Sequence, residues 1–159
     1  MRLKERNPIT TMNLYDEFFA LISYLNKLGA RYAVIGGVAM AFYGIPRFTH
    51  DVDILLHPDD LSLAKMALER LNYRESAEPR TFSNTNLTLH RFLKVENEDE
   101  LMFNILIANA AEYQEMICNA VETASNAGTV RVALKRDLIT LKKSPLFQPG
   151  RSRYTGVAG

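Results

Sequence analysis

The stretch Arg31-Tyr32-Ala33-Val34-Ile35-Gly36-Gly37-Val38-Ala39-Met40-Ala41-Phe42-Tyr43-Gly44 is followed, past Arg47-Phe48-Thr49-His50, by Asp51-Val52-Asp53-Ile54-Leu55-Leu56-His57. Residues 31–35 are β-rich and run straight into a glycine pair, and Val38–Tyr43 reads as a short helix stopped by Gly44 and Pro46. Asp51–His57 predicts a second strand. Successive side chains of a strand alternate faces, so Asp51 and Asp53 share one face while Val52 and Ile54 pack behind them. Neighbouring carboxylates repel, and the pair becomes favourable when a hard divalent cation sits between them. Mg²⁺ takes one or two carboxylates together with phosphate oxygens and water. A glycine pair at a strand-to-helix turn lets backbone N–H groups approach a phosphate, where the helix dipole favours negative charge. A lone Gly-Gly is common in turns and a lone Asp-x-Asp on exposed strands. In this order and spacing they describe a site for a metal-bound nucleoside triphosphate.

Outward from this centre, Leu14, Phe18, Leu21, Ile22, Leu25 and Leu28 recur at helical spacing and Gly29 stops the run. Pro58-Asp59-Asp60 supplies a helix start ahead of Leu61–Leu71. Residues 75–86 are polar and read as a loop. Leu87–Val95 alternates as a half-buried strand, with Leu87, Leu89, Leu93 and Val95 on a face that also carries Arg91. A turn at Asn97–Glu100, a strand at Leu101–Ile107, a helix over Ala110–Val121, a strand at Thr129–Leu134 and a helix over Arg136–Lys143 follow. This order predicts an α/β (α+β) domain with a mixed β-sheet flanked by helices, rather than a doubly wound parallel sheet. One domain is expected over residues 1–143. Residues 144–159, broken by Pro145, Pro149, Gly150, Gly156 and Gly159, read as an irregular, divergent or truncated tail.

Composition narrows the class. The 159 residues are 47% hydrophobic and 23% charged, as in an ordinary folded domain. With 19 Lys+Arg against 18 Asp+Glu, bulk electrostatics do not suit a protein that coats nucleic acid. That balance conceals a contrast: residues 131–159 carry seven basic residues and one acid, a segment able to meet phosphates or RNA, or to be a solvated helix and tail. The single cysteine, Cys118, excludes an internal disulfide and a cysteine zinc site; it reads as a small buried residue and points to the cytoplasm. No apolar run approaches the ~20 residues of a membrane span, so no membrane partner is expected. His50, His57 and His90 lack metal-ligand spacing, and serine hydrolase, zincin and P-loop motifs are absent from the sequence.

Gly36-Gly37 with its short helix, then Arg47-x-Thr49-x-Asp51-Val52-Asp53, resembles the signature of nucleotidyltransferase-fold proteins. Within them the chain is most similar to the bacterial abortive-infection-type (AbiEii-like) nucleotidyltransferase toxins and their uncharacterised relatives. The likeness covers roughly residues 14 to 143, and Val132–Lys142 resembles the family's closing strand and its Asp-Leu-Ile-x-x-Lys helix. The resemblance implies a minimal nucleotidyltransferase fold in which Gly36 and Gly37 contact a triphosphate and Asp51 and Asp53 hold Mg²⁺ or Mn²⁺. By the same resemblance Arg47, Thr49 and Lys142 bind phosphates or position the nucleotide. Arg47 has the donor fork that suits a phosphate or a surface carboxylate; Thr49 also suits a strand start.

The implied function is transfer of a nucleotidyl group to an acceptor hydroxyl on an RNA 3′ end, a protein or a small molecule. The implied biology is a toxin with an antitoxin partner, and a homodimer is left open. Two features depart from the family. The third-carboxylate position matches Asn104, which brings no charge and cannot act as a general base; Asp99 or Glu100 reaches that place only if the strand slips. The tail after Ser144 offers no acid. The alternative is therefore a catalytically decayed nucleotide-binding or interaction module of the same fold.

Overall fold

Asn13 opens the first helix of the computed structural model, which describes residues 12–45, 49–76, 78–82, 85–125 and 128–143. Its side-chain oxygen accepts the N–H groups of Tyr15 and Asp16 at 2.9 and 3.1 Å, satisfying two donors that a helix start leaves without partners. Helix α1 (Leu14–Leu28) buries Phe18, Leu21, Ile22 and Leu25 and ends on Gly29 in the left-handed region. The predicted spacing is met. After it come β1 (Tyr32–Ile35), α2 (Gly36–Phe42), β2 (Asp51–Leu56), a 3₁₀ turn (Pro58–Asp60) and α3 (Leu61–Arg70). The second half contributes β3 (Arg74–Glu75), β4 (Arg80–Phe82), β5 (Leu87–Glu96), β6 (Asp99–Ala108), α4 (Ala111–Cys118), β7 (Val121–Ser125), β8 (Gly128–Val132) and α5 (Lys135–Lys142).

The described strands form one mixed, open sheet in the order β3-β5-β6-β2-β1-β8-β7, with β4 also paired to β5. Its centre carries Asp51 and Asp53, on β2. β1 runs antiparallel to β2 and parallel to β8, while β2 runs parallel to β6. All four residues of β1 and five of the six in β2 are buried, as central strands covered on both faces require. Phe103, Ile105, Val52, Ile54, Phe92 and the buried face of α1 belong to one core.

β5 and β6 are joined by a two-residue turn in which Asn97 and Glu98 both have positive φ, 52° and 70°. That backbone matches the twist of a hairpin and fixes its register, pairing Glu96 with Asp99 and, five steps in, Arg91 with Asn104. Asp99 starts β6 and accepts the Met12 N–H at 2.8 Å, so no strand slip brings it or Glu100 toward the aspartate pair.

Three local expectations are corrected. The loop expected over residues 75–86 contains β4, and β3 overlaps its first residue; these short polar strands ride on β5 without a buried alternation that would have marked them. The helix expected over Ala110–Val121 stops at Cys118, and Val121 instead opens β7, an edge strand too exposed to show a buried period. Cys118 is exposed, because α4 buries Tyr113, Met116 and Ile117 and the next position rotates out of that face.

Candidate active site

One row of residues crosses the sheet: Arg91 on β5 opposite Asn104 on β6, Asn104 beside Asp53 on β2, and Asp53 opposite Ile35 on β1. Register partners share a face, so Arg91, Asn104 and Asp53 point the same way, with Asp51 two residues along. Immediately after Ile35 the chain turns into α2 through Gly36, whose φ of 72° lies in the left-handed region. A Cβ on Gly36 would run into the Asp53 carboxylate, so both backbone conformation and close approach require glycine there. Gly37 faces Thr49, whose Cβ lies 3.4 Å from the position of a Cβ on residue 37. The strand pairing and the tight turn after Ile35 thus bring Gly36 against Asp53 and Gly37 against Thr49, with Asp51 beside them.

Thr49 is tied to Asp51. Its hydroxyl donates to the Asp51 carbonyl at 2.8 Å and lies 3.3 Å from Asp51 Oδ1, closing a short turn that aims the half-buried Asp51. Asp53 is 5% exposed and Asn104 is fully buried. The Asn104 side chain links everything else: its Nδ2 donates to Asp53 Oδ1 at 2.8 Å and to Asp51 Oδ2 at 3.1 Å, and its Oδ1 accepts from Arg91 Nε at 3.0 Å. The amide orientation follows from these partners, since the reverse would oppose donor to donor and oxygen to carboxylates. Arg91 was not anticipated as a site residue. Its signal in the sequence was a charge on the otherwise apolar face of Leu87–Val95.

The donor set fits one hard divalent cation. Asp53 Oδ1 and Asp51 Oδ2 both lie within hydrogen-bond distance of one atom, the Asn104 amide nitrogen, so the two carboxylates are close neighbours; two carboxylates plus water and phosphate are what Mg²⁺ accepts. A second cation has no third carboxylate to share, and among the described residues no group of three or more His, Cys, Asp and Glu gathers to bind a metal.

The remaining expectations divide. Arg47 lies outside the described residues, as does the tail after Lys143. Lys142 occupies the last turn of α5 and is exposed, whereas the start of α5 lies against Tyr43, the residue that ends α2. There, β8 lies alongside β1, the Tyr43 hydroxyl donates to the Ala133 carbonyl at 2.7 Å, and Lys135 Nζ sits 5.6 Å from the centre of the Tyr43 ring. Lys142 is seven residues further, about 10 Å along the helix axis. His57 caps the 3₁₀ turn by accepting the Asp59 N–H, and buried His90 pairs with Glu75 at 2.7 Å, so both serve local structure.

No family model matches the chain, and no curated protein matches it significantly. Solved structures do match. A Thermotoga maritima protein assigned as a nucleotidyltransferase aligns with a TM-score of 0.56 and 12% identity, over 85% of this chain and 88% of that one. The antibiotic-resistance factor ANT(2'')-Ia in solution gives 0.55 at 14% identity, over 93% and 86% of the two chains. The same factor in complex with adenylyl-2''-tobramycin gives 0.51 at 16% identity, over 74% and 67%. The fold is that of the nucleotidyltransferases.

Proposed function

We propose that this protein binds a nucleoside triphosphate with one Mg²⁺ or Mn²⁺ and transfers its nucleotidyl group to an acceptor hydroxyl. The observation that carries this reading is the close approach of Gly36 to Asp53: a glycine turn whose N–H groups would meet phosphate sits against the carboxylate that would hold the cation. When bound, the cation would neutralise charge on the phosphates and stabilise the departing pyrophosphate. Asp51 and Asp53 would hold it, Thr49 would keep Asp51 aimed, and the N–H groups after Ile35 would meet phosphate oxygens. Arg47 and Lys142 remain proposed phosphate contacts.

The acceptor is an RNA 3′ end, a protein or a small molecule, the last in line with the adenylylated tobramycin bound by the ANT(2'')-Ia neighbour. The proposal extends to a toxin of the abortive-infection type, acting in the cytoplasm with an antitoxin partner.

The test is incubation with each α-labelled triphosphate, Mg²⁺ or Mn²⁺, and total RNA, lysate or aminoglycoside. Label transfer by the wild type that disappears in Asp53→Ala is the expected result. Absence of any triphosphate binding overturns the reading. A second reading, a module that binds nucleotide without turnover, is favoured by Asn104, which turns an amide donor toward the aspartates where a third carboxylate would accept. A silent wild type and an active Asn104→Asp variant would select it.

A further inference from the structure

We propose that Arg91 is a positioning residue that sets the cation affinity of the aspartate pair through the orientation of the Asn104 amide. The proposal rests on the functional reading only in taking Asp51 and Asp53 as a cation site. Two carboxylates of like charge lie within reach of one amide nitrogen, 2.8 and 3.1 Å away, and both N–H bonds of that amide are used on them. The other end of the amide is held by the Arg91 guanidinium at 3.0 Å. The chain of donors therefore runs from a permanent positive charge, through a neutral amide, to the carboxylates, and it supplies the compensation a cation would otherwise give.

A bound cation competes with this arrangement. A cation bound through Asp53 Oδ1 and Asp51 Oδ2, the two oxygens that the amide holds, competes with Asn104 Nδ2 for them and leaves two N–H bonds of a fully buried amide beside a positive charge. The amide escapes that penalty by flipping, which would also bring Oδ1 to the cation as a ligand. Flipping sets Nδ2 against Arg91, and a guanidinium has five donors and no acceptor. Arg91 therefore opposes the flip. The register makes this a property of the fold, since the two-residue turn at Asn97 and Glu98 seats Arg91 opposite Asn104 and nowhere else.

The measurement is Mn²⁺ affinity, without nucleotide, by titration calorimetry and by the paramagnetic resonance signal of free Mn²⁺. It is made on the wild type, Arg91→Met, Asn104→Ala, the double variant and Asp53→Asn, each checked by circular dichroism. Arg91→Met is expected to tighten Mn²⁺ about tenfold when Asn104 is present, the size of one hydrogen bond to a charged group. In the Asn104→Ala background the same substitution is expected to change little, because the relay is already cut. An equal gain in both backgrounds means through-space charge and overturns the proposal. So does no gain, or no Mn²⁺ binding by either the wild type or Arg91→Met. Binding that survives in Asp53→Asn sinks the functional reading itself; binding that obeys Asp53 but ignores the Arg91–Asn104 cycle sinks only the present inference. Should Arg91→Met fail to fold, asparagine-labelled wild type decides: saturating Mg²⁺ is expected to move the Asn104 side-chain NH₂ resonances, and unmoved resonances overturn the proposal.

Discussion

Gly36 shows how narrowly single residues are constrained at this site. Its left-handed backbone costs any L-residue about 1–2 kcal/mol, and the Asp53 carboxylate occupies the space of a side chain besides. Gly36→Ala is expected to lower unfolding free energy by at least ~1–2 kcal/mol in urea titrations, and to weaken Mn²⁺ binding by displacing Asp53. Gly37, without a positive φ and with Thr49 at ordinary contact distance, tolerates alanine better. If Gly36→Ala and Gly37→Ala prove equally mild, the close approach of turn and carboxylate is not what the site depends on. Asn104 makes the complementary point: chemically it is one amide in place of an acid, yet its two ends are committed to opposite charges. A polar group so deeply buried is tolerated because its donors and its acceptor are all engaged.

Among the elements, the β5–β6 hairpin has the most leverage. Ten pairs of residues run from Leu87↔Ala108 to Glu96↔Asp99, and all follow from one two-residue turn. Asparagine visits the left-handed region readily, but Glu98 at φ 70° does not. Glu98→Gly is therefore expected to stabilise the protein by ~0.5–1 kcal/mol, read as a higher urea midpoint with unchanged slope. No gain, or a loss, would show that the turn is not held in this conformation. The short helix α2 has the opposite character: its capping residue, Ile35, offers no side-chain bond, so α2 is defined by the glycine turn and by burial of Val38 and Ala39.

Across the whole molecule, the central strands are tied at both ends. At one end lie the glycine turn and the aspartates. At the other, Asp60 accepts the Arg31 backbone N–H at 2.8 Å and its Nε–H and Nη2–H at 2.9 and 3.1 Å, joining the start of β1 to the turn that follows β2. The Arg31 side chain, donating to Asp60, holds that carboxyl below its ordinary pKa of 3.8, against the opposing effect of burial. A carboxyl with a depressed folded pKa contributes stability above its unfolded pKa and loses it as pH falls through the folded value. The difference in melting temperature between wild type and Asp60→Asn is accordingly expected to be constant from neutral pH to just above 4 and to shrink below 3.8. A difference that persists unchanged in stronger acid would mean that the carboxylate charge is not what joins the strands. Further tertiary ties bind α1 to the sheet, where Glu17 accepts from the Tyr73 hydroxyl at 2.8 Å and from Lys94 at 3.2 Å; burial and the Glu17 charge both push the Tyr73 phenol upward.

Much of this was legible along the chain because the information was local. The period of α1, the strand-to-glycine turn and the alternation that places Asp51 and Asp53 on one face all act within a few residues, where steric and hydrophobic rules operate directly. Asn104 was also visible, as an amide at a position where the resemblance implied an acid. The edge strands β3, β4 and β7 were not, since they are held by backbone pairing to neighbours rather than by a buried face of their own. Arg91 shows the limit most clearly. Its sequence position announced an anomaly, a charge among apolar residues, but not its partner. Which residue it meets depends on a turn six residues away and on the parallel pairing of β6 with β2, which aligns Arg91, Asn104 and Asp53 in one row. The residue types of the site belong to the sequence; their joining into one hydrogen-bonded chain is a matter of register, and register exists only once the strands are paired.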